Sequence, residues 1–450
     1  MQADWPERFI YVCNAGRAAL VNALPLIHAG LDRVARVVVF CGADGPDTLN
    51  AAARAEAVDP ARRLEDCLTE WTARRLSRAK GTFEAVYGNP LSVSDWRGHM
   101  QRLRHSADLP ILFNFKSGTK EMAIGGAMGL GTATDADLVT IGDNPPQVEL
   151  VTPDGQEPLP IRGGHLNLPR LLRLYGFCEH VDREPERAHQ QRVASQDWCT
   201  RHKSQIEAFC TVFVPKAVAA WPVLQRLTRP VEPTTNKQHG YQLPCVIALP
   251  DADARSGDAA GRIVGQAIGA LDGLAGLTIK RTSEGSPTEI EIVDPFVARF
   301  LRGGWLEAVV YLSLLAAAKG RNDVTVAANL ALAPATRPAE RMTEIDVAVM
   351  IGSQLVIVEA KSSSMTGAAA RDSGERSLAQ VESTQRQLTG QVGRVFIVNP
   401  CITEETLRRQ QGAVIARTRQ SGQELFVGPD AIERLVRRMA ELIGSLPVTG

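Results

Sequence analysis

Residues 344–361 constrain this chain more than any other stretch: Glu344-Ile345-Asp346-Val347-Ala348-Val349-Met350-Ile351-Gly352-Ser353-Gln354-Leu355-Val356-Ile357-Val358-Glu359-Ala360-Lys361. Two β-branched, apolar runs flank a Gly-Ser pair, the pattern of a hairpin with a two-residue loop and glycine at its first central position. Counting outward sets Ile351 opposite Gln354, Val349 opposite Val356 and Val347 opposite Val358. The same register sets Asp346 opposite Glu359 and Glu344 opposite Lys361. Side chains alternate along a strand. Ile345, Val347, Val349, Ile351, Val356 and Val358 are therefore expected to form a core face. Three carboxylates and one ammonium gather at the open end, on strands whose opposed Cβ atoms lie about 4.5–5.5 Å apart.

That cluster has a chemical use. Two carboxylates on adjacent strands suit a hard divalent cation, Mg²⁺ or Mn²⁺, which takes oxygen ligands and keeps several waters. Asp346 and Glu359 are the candidate metal ligands, and Lys361 can orient the attacking water and offset an anionic transition state. The competing reading is a plain hairpin with a solvated Glu–Lys pair, which contributes little. The setting argues against it, because Asp346 and Glu359 both end strongly apolar strands.

At 450 residues the chain is long enough for two to three domains, and 44% apolar with 22% charged residues supports packed cores. A formal charge of zero argues against a strongly basic nucleic-acid clamp and leaves only local patches. No uninterrupted apolar run approaches the roughly 20 residues of a membrane span. Residues Met1 to Arg8 lack a basic region followed by an apolar one, so a cytoplasmic protein without a membrane partner is expected. Eight cysteines occur without a CxxC pair, consistent with reduced thiols. Cys178, His180, Cys199 and His202 fit the spacing of no common zinc finger.

Residues 9–142 alternate strand and helix patterns. Strands are expected at 9–13, 34–40, 82–87, 111–114 and 137–141, with helices at 18–29, 60–79, 94–105 and 121–130. Such alternation implies right-handed βαβ units and a doubly wound parallel sheet, an α/β fold that binds ligands beyond the carboxyl ends of its strands. Two loops there carry suitable chemistry. Asn14-Ala15-Gly16-Arg17 leaves the first strand, and Asn114-Phe115-Lys116-Ser117-Gly118-Thr119-Lys120 leaves the fourth. Hydroxyls and lysines at a helix N-terminus make an anion site. Neither loop has Walker or GxGxxG spacing, so neither ATP hydrolysis nor dinucleotide binding is favoured.

A hairpin at 147–161 is expected to close this domain, followed by a short helix over 168–175. Residues 166–290 read as a helical and mixed linker region, with no repeat and no chemistry of their own. From Asp294 the pattern sharpens again. A helix over 305–319 has Trp305, Val309, Leu312 and Ala316 on one side and Glu307 in its first turn, where the dipole tolerates a carboxylate. A strand at 324–330 precedes the hairpin; helices at 377–388, 404–418 and 430–442 and a strand at 393–398 follow it. Arg408, Arg409, Arg417, Arg419, Arg434, Arg437 and Arg438 make this end locally basic, either as a solvated face or as phosphate contacts.

A helix glutamate, a strand, an aspartate on a hairpin and Glu-Ala-Lys on the next strand resemble the PD-(D/E)xK restriction-endonuclease-like fold. Asp346, Glu359 and Lys361 match its D…ExK motif, and Glu307 its helix glutamate. The surrounding words are more specific. Phe300-Leu301-Arg302-Gly303-Gly304-Trp305-Leu306-Glu307, Glu344-Ile345-Asp346-Val347 and Val358-Glu359-Ala360-Lys361, behind a domain carrying Ser117-Gly118-Thr119-Lys120-Glu121-Met122, resemble the CRISPR-associated CARF nucleases of type III systems. The resemblance covers about 9–175 and 294–445 and departs at Phe115-Lys116-Ser117 and at Ala360.

It implies a CARF ligand-sensing domain over 1–165 and a nuclease domain over 291–450. It also implies a homodimer that binds cyclic oligoadenylate, most often cyclic tetra-adenylate. Binding would activate metal-dependent cleavage of single-stranded DNA and RNA in antiviral defence. Asn14, Arg17, Lys116, Ser117, Gly118, Thr119 and Lys120 become the implied ligand contacts, and Glu307, Asp346, Glu359 and Lys361 the catalytic set. The alternatives are a constitutive restriction or repair endonuclease and a non-catalytic cyclic-nucleotide sensor.

Overall fold

The computed structural model describes residues 4–15, 19–42, 51–131, 136–143, 146–152, 154–164, 166–180, 185–231, 241, 243–249, 259–338, 340, 342–362, 394–409 and 423–444. The first unit contains β1 (Phe9–Asn14), α1 (Ala19–Ala29), β2 (Val34–Gly42), α2 (Ala51–Trp71), β3 (Phe83–Gly88), α3 (Val93–Ser106), β4 (Ile111–Asn114), α4 (Lys120–Leu130) and β5 (Ala136–Asp143). β1 is buried along its whole length, as expected of a strand covered on both faces. The helix expected to reach residue 79 ends at Trp71, because Ala73 and Arg74 take φ of 50° and 70°, and residues 78–80 form a separate 3-10 turn.

These strands are ordered β3-β2-β1-β4-β5 and run parallel, and antiparallel β6 (Pro146–Thr152) and β7 (Gly155–Pro158) extend the edge. The order reverses between β1 and β4, so the loops leaving Asn14 and Asn114 flank the topological switch point where such sheets bind ligands.

The region expected as a linker is built into the fold. α5 (Leu168–Leu174), β8 (Phe177–Glu179), α6 (Pro185–Arg201), α7 (Lys203–Phe213), α8 (Ala217–Leu227), β9 (Cys245–Ala248), α9 (Ala259–Gly269), β10 (Leu277–Arg281) and β11 (Pro287–Ile292) follow in turn. β9, β10 and β11 form an antiparallel sheet, and Phe209, Phe213, Trp221, Val264 and Ile290 share one buried core with Trp305 and Val347 of the last unit. Apolar helices without a full core of their own bury against the neighbouring sheet.

That last unit runs α10 (Pro295–Arg299), a π turn (Phe300–Gly304), α11 (Trp305–Ala317), β12 (Val324–Pro334), β13 (Thr343–Ile351), β14 (Gln354–Ala360), β15 (Arg394–Asn399), β16 (Glu424–Val427) and α12 (Ala431–Gly444). Its sheet is ordered β16-β15-β14-β13-β12-β8. The helix expected at 377–388 and residues 410–418 of the next one lie outside the described residues. Two helical runs, 203–227 and 295–317, are as long and apolar as a membrane span, which uninterrupted apolar runs did not indicate. Each is broken, by a 3-10 turn or by the π turn, and each supplies aromatic side chains to the core.

β13 and β14 pair in the register read from the sequence, from Ile351–Gln354 to Val347–Val358. The expectation of one core face is corrected: both faces are buried. Val347, Val349, Val356 and Val358 pack in the core of α11, while Ala348, Met350, Leu355 and Ile357 join the core of the first unit with Leu24, Leu171 and Leu172. Ile345 also lies on that second side, with Leu330 and Leu332. Alternation breaks at Asn329 and Asp346, where the β12–β13 ladder skips one residue on each strand and Asn329 adopts φ 55°. Ala316, expected on the buried side of α11, is exposed.

Candidate active site

Asp346 sits at that break, between two strands that are apolar on both sides. One carboxylate oxygen, Oδ2, accepts the Ala360 N–H at 2.8 Å, and the Glu359 carboxylate is ion-paired to Lys361. Burial pushes the Asp346 carboxyl well above its ordinary range, and the nearby Glu359 and Glu307 add to this while Lys361 opposes it. Burial likewise raises Glu359 against the pull of Lys361. For Lys361 burial works downward, but Glu359 and Asp346 outweigh it and hold the ammonium above its usual value.

Glu307 lies in the first turn of α11 and takes the Arg299 guanidinium at 2.9 Å. In an unbroken helix those eight residues would be separated by about 12 Å of axial rise. The π turn brings them together, with Gly303 at φ 140°, a conformation that favours glycine, and its α-carbon beside Ser362. Glu344 was expected to face Lys361, but its carboxylate reaches Arg299 instead, at 3.4 Å. The described ladder stops at Val347–Val358, and the Lys361 N–H has turned to the Val398 carbonyl on β15.

Sequence reasoning missed Arg299, Asn329 and Ser195. Arg299 donates to Asn329 Oδ1 at 2.6 Å, and the Asn329 amide donates to the Ser195 hydroxyl at 3.3 Å. Ser195 and Asn329 line, with Arg299 and Glu307, a small cavity under α11. Proximity of Arg299 to Glu307 was the one available hint; nothing in the charged helix 185–201 marks Ser195.

Among the described residues no three His, Cys, Asp or Glu side chains converge closely enough to hold an ion together. The Asp346–Glu359 pair nevertheless fits a hard divalent cation. Burial raises both carboxyls, and Asp346, Glu359, Glu307 and Glu344 outnumber Lys361 and Arg299 by two charges. An ion held by two carboxylates and waters suits that donor set. With divalent ions chelated, Asp346→Asn is expected to raise the melting temperature more at about pH 8 than at about pH 5. A carboxyl raised in the folded state contributes its stability below its unfolded pKa and loses it as pH rises through the folded value. Calorimetry at the two pH values in a chelator checks this; an equal shift at both would contradict it.

The described arginines of the C-terminal region are each ion-paired to a carboxylate. Arg408 and Arg437 pair with Glu404 and Glu433 at 2.6 and 2.9 Å, Arg409 with Glu405, Arg434 with Asp430 at 3.2 Å, and Arg438 with Glu424 at 3.0 Å. Arg417 and Arg419 lie outside the described residues. Cys178 and His180 contact the Pro334 and Pro338 carbonyls, while His202 lies against Trp198, so no zinc set forms there.

At the other site Asn14 and Ser117 build the loop from inside. The Ser117 hydroxyl contacts the Asn14 carbonyl and lies 2.8 Å from Asn22 Oδ1, and the Asn22 amide donates to the same Asn14 carbonyl at 2.9 Å. Gly118, at φ 82°, rests on Asn14, where a Cβ would come within 2.6 Å of the asparagine's own. The Asn14 carboxamide is buried, and neither of its polar atoms has a hydrogen-bond partner among the described residues, an orphan that fits a hydrogen-bonding ligand. Lys116 and Lys120 are exposed, and Thr119 caps α4 by accepting the Met122 N–H at 3.2 Å. Gly16 and Arg17 lie outside the described residues.

α1 joins the two sites. Pro25 has no N–H for the Val21 carbonyl, and the Asn114 amide fills that gap at 2.8 Å. At the other end of the helix His28 Nε2 lies 3.3 Å from the Ser353 hydroxyl, which also accepts the Leu166 N–H at 3.1 Å. Ser353 is in the two-residue turn of the hairpin that carries Asp346 and Glu359.

A doubly wound sheet with its switch point between β1 and β4, sharing its core with a sheet that ends in Asp346, Glu359 and Lys361, defines the class: the chain has the fold of the CARF nucleases. More particularly, residues 294–443 match the family model of the Card1-like endonuclease domain. The structure is similar to that of protein VC1899 from Vibrio cholerae, with TM-score 0.65 and 14% identity over 98% of this chain and 99% of that one. It is also similar to Can2 from Sulfobacillus thermosulfidooxidans in complex with cyclic tetra-adenylate, with TM-score 0.58 and 14% identity over 97% of this chain and 99% of that one. No curated protein matches the sequence.

Proposed function

We propose that this chain is a cytoplasmic, homodimeric CRISPR effector. Cyclic oligoadenylate, in the first instance the tetra-adenylate seen on Can2, would activate it to cleave single-stranded DNA and RNA with Mn²⁺ or Mg²⁺. The observation that carries ligand activation, as opposed to a constitutive nuclease, is α1, hydrogen-bonded to the switch-point loops at one end and to the nuclease hairpin at the other. A two-fold symmetric ring suits a symmetric dimer in which each copy presents the same loop. The orphaned Asn14 amide, exposed Lys116 and Lys120, and the capped start of α4 suit an adenine edge and anionic phosphates.

At the nuclease site Asp346 and Glu359 would hold the divalent ion, which would lower the pKa of a water and offset charge on the scissile phosphate. Lys361, kept charged by Glu359, orients the nucleophilic water and donates to the phosphate oxygens as charge builds on them. Glu307, fixed by Arg299, supports this pair from α11. The test is cleavage of single- and double-stranded DNA and RNA by the full chain with Mn²⁺, across linear and cyclic oligoadenylates of several ring sizes. Cleavage that requires one cyclic ring size is the expected result. Cleavage without nucleotide would establish a constitutive nuclease, and none under any condition a sensor.

A further inference from the structure

Arg299 belongs to neither the D…ExK motif nor the expected ligand set, yet it ties together two of the four carboxylates of the acidic cluster. Its guanidinium bonds Glu307 at 2.9 Å, Glu344 at 3.4 Å and Asn329 Oδ1 at 2.6 Å. Asn329 is held in the left-handed region in the middle of a strand, a conformation asparagine tolerates better than other non-glycine residues. Its amide is tied in turn to Ser195 on α6. A left-handed asparagine and a π turn with Gly303 at φ 140° thus converge on one guanidinium.

We propose that Arg299 is a positioning residue for cleavage. Gripping Glu307 and Glu344 together, it keeps both off the Asp346–Glu359 position and lowers the cluster's charge to what one divalent ion neutralises. The site then takes one ion per chain, with Glu307 aimed but not ligating. This rests on the metal-dependent reading above. Removing the cation leaves four carboxylates against Lys361 alone, so Glu307 and Glu344 swing in and the ion binds too tightly in the wrong place.

The experiment is calorimetric titration of the full chain with MnCl₂, beside cleavage rates measured across Mn²⁺ concentration. Wild type is expected to bind one Mn²⁺ per chain. Arg299→Gln is expected to bind Mn²⁺ about tenfold tighter, as loss of a nearby charge supports, while cleaving about 10- to 100-fold more slowly, as a small misplacement of catalytic groups does. Glu344→Gln, which removes an anion and keeps the cation, is expected to weaken Mn²⁺ binding. Arg299→Lys should restore wild-type Mn²⁺ affinity but only part of the rate, since one ammonium does not reproduce the fork. A merely structural role would lower affinity and rate together in Arg299→Gln. That result, or Mn²⁺ affinities moving the same way in Arg299→Gln and Glu344→Gln, overturns the proposal. Should Arg299→Gln not fold, the Arg299→Lys and Glu344→Gln pair decides it. Mn²⁺ binding unchanged in Glu359→Gln would instead sink the metal-dependent reading itself.

Discussion

Glu359→Gln is expected to abolish cleavage, lowering the rate by about 10³-fold or more while ligand binding stays intact. A bound divalent ion supplies several kcal/mol of transition-state stabilisation, and about 4 kcal/mol is a thousandfold. The amide keeps the shape of the carboxylate but loses the charge that pairs with Lys361 and that would hold the ion. The switch-point loops proposed to bind the activator lie in a different sheet, at the ends of β1 and β4, away from Glu359. The measurement is single-turnover cleavage at saturating Mn²⁺ and activator, with activator affinity measured separately. Cleavage near the wild-type rate would remove Glu359 from the catalytic set.

The second large effect lies far from the chemistry. Ser353→Ala is expected to leave activator affinity within about threefold of wild type and to cut stimulation of cleavage by about tenfold. Coupling free energies of about 1–3 kcal/mol are typical, and one buried hydrogen bond is worth about that when broken. The Ser353 hydroxyl is the point where α1, through His28, and residue 166 both touch the nuclease hairpin. The His28 carbonyl is itself held by the Arg162 and Gly163 N–H groups at 2.7 and 2.9 Å, so the end of the helix is fixed from two sides. A shift of the switch-point loops on binding would pull α1 through Asn22 and the Val21 carbonyl, and so move the turn. Full stimulation in Ser353→Ala would rule this route out. The His28–Ser353 contact joins the two halves without passing through residues 180–290.

Those two predictions rest on different kinds of legibility. The hairpin register from Ile351–Gln354 to Val347–Val358 and the strand–helix alternation of the first unit were readable because they follow from local periodicity and turn chemistry. The grouping of Asn14 with Ser117 was readable only as two suggestive loops. It took the parallel strand order to set β1 beside β4 and make them one crevice.

Taken by itself, the sequence determined that an apolar hairpin ends in Asp346, Glu359 and Lys361, and that a doubly wound sheet precedes it. Period-two and period-3.6 patterning act over a few residues and survive any tertiary arrangement. Only the tertiary structure decided that Glu344 pairs with Arg299, that the second face of the hairpin is buried in the first unit's core, and that α1 reaches Ser353. Each of these joins residues tens to hundreds of positions apart through a break in local regularity: the left-handed Asn329, the π turn at Gly303, or the carbonyl released by Pro25. Such breaks have no period to read, and their consequences depend on which distant donor or acceptor comes to rest beside them.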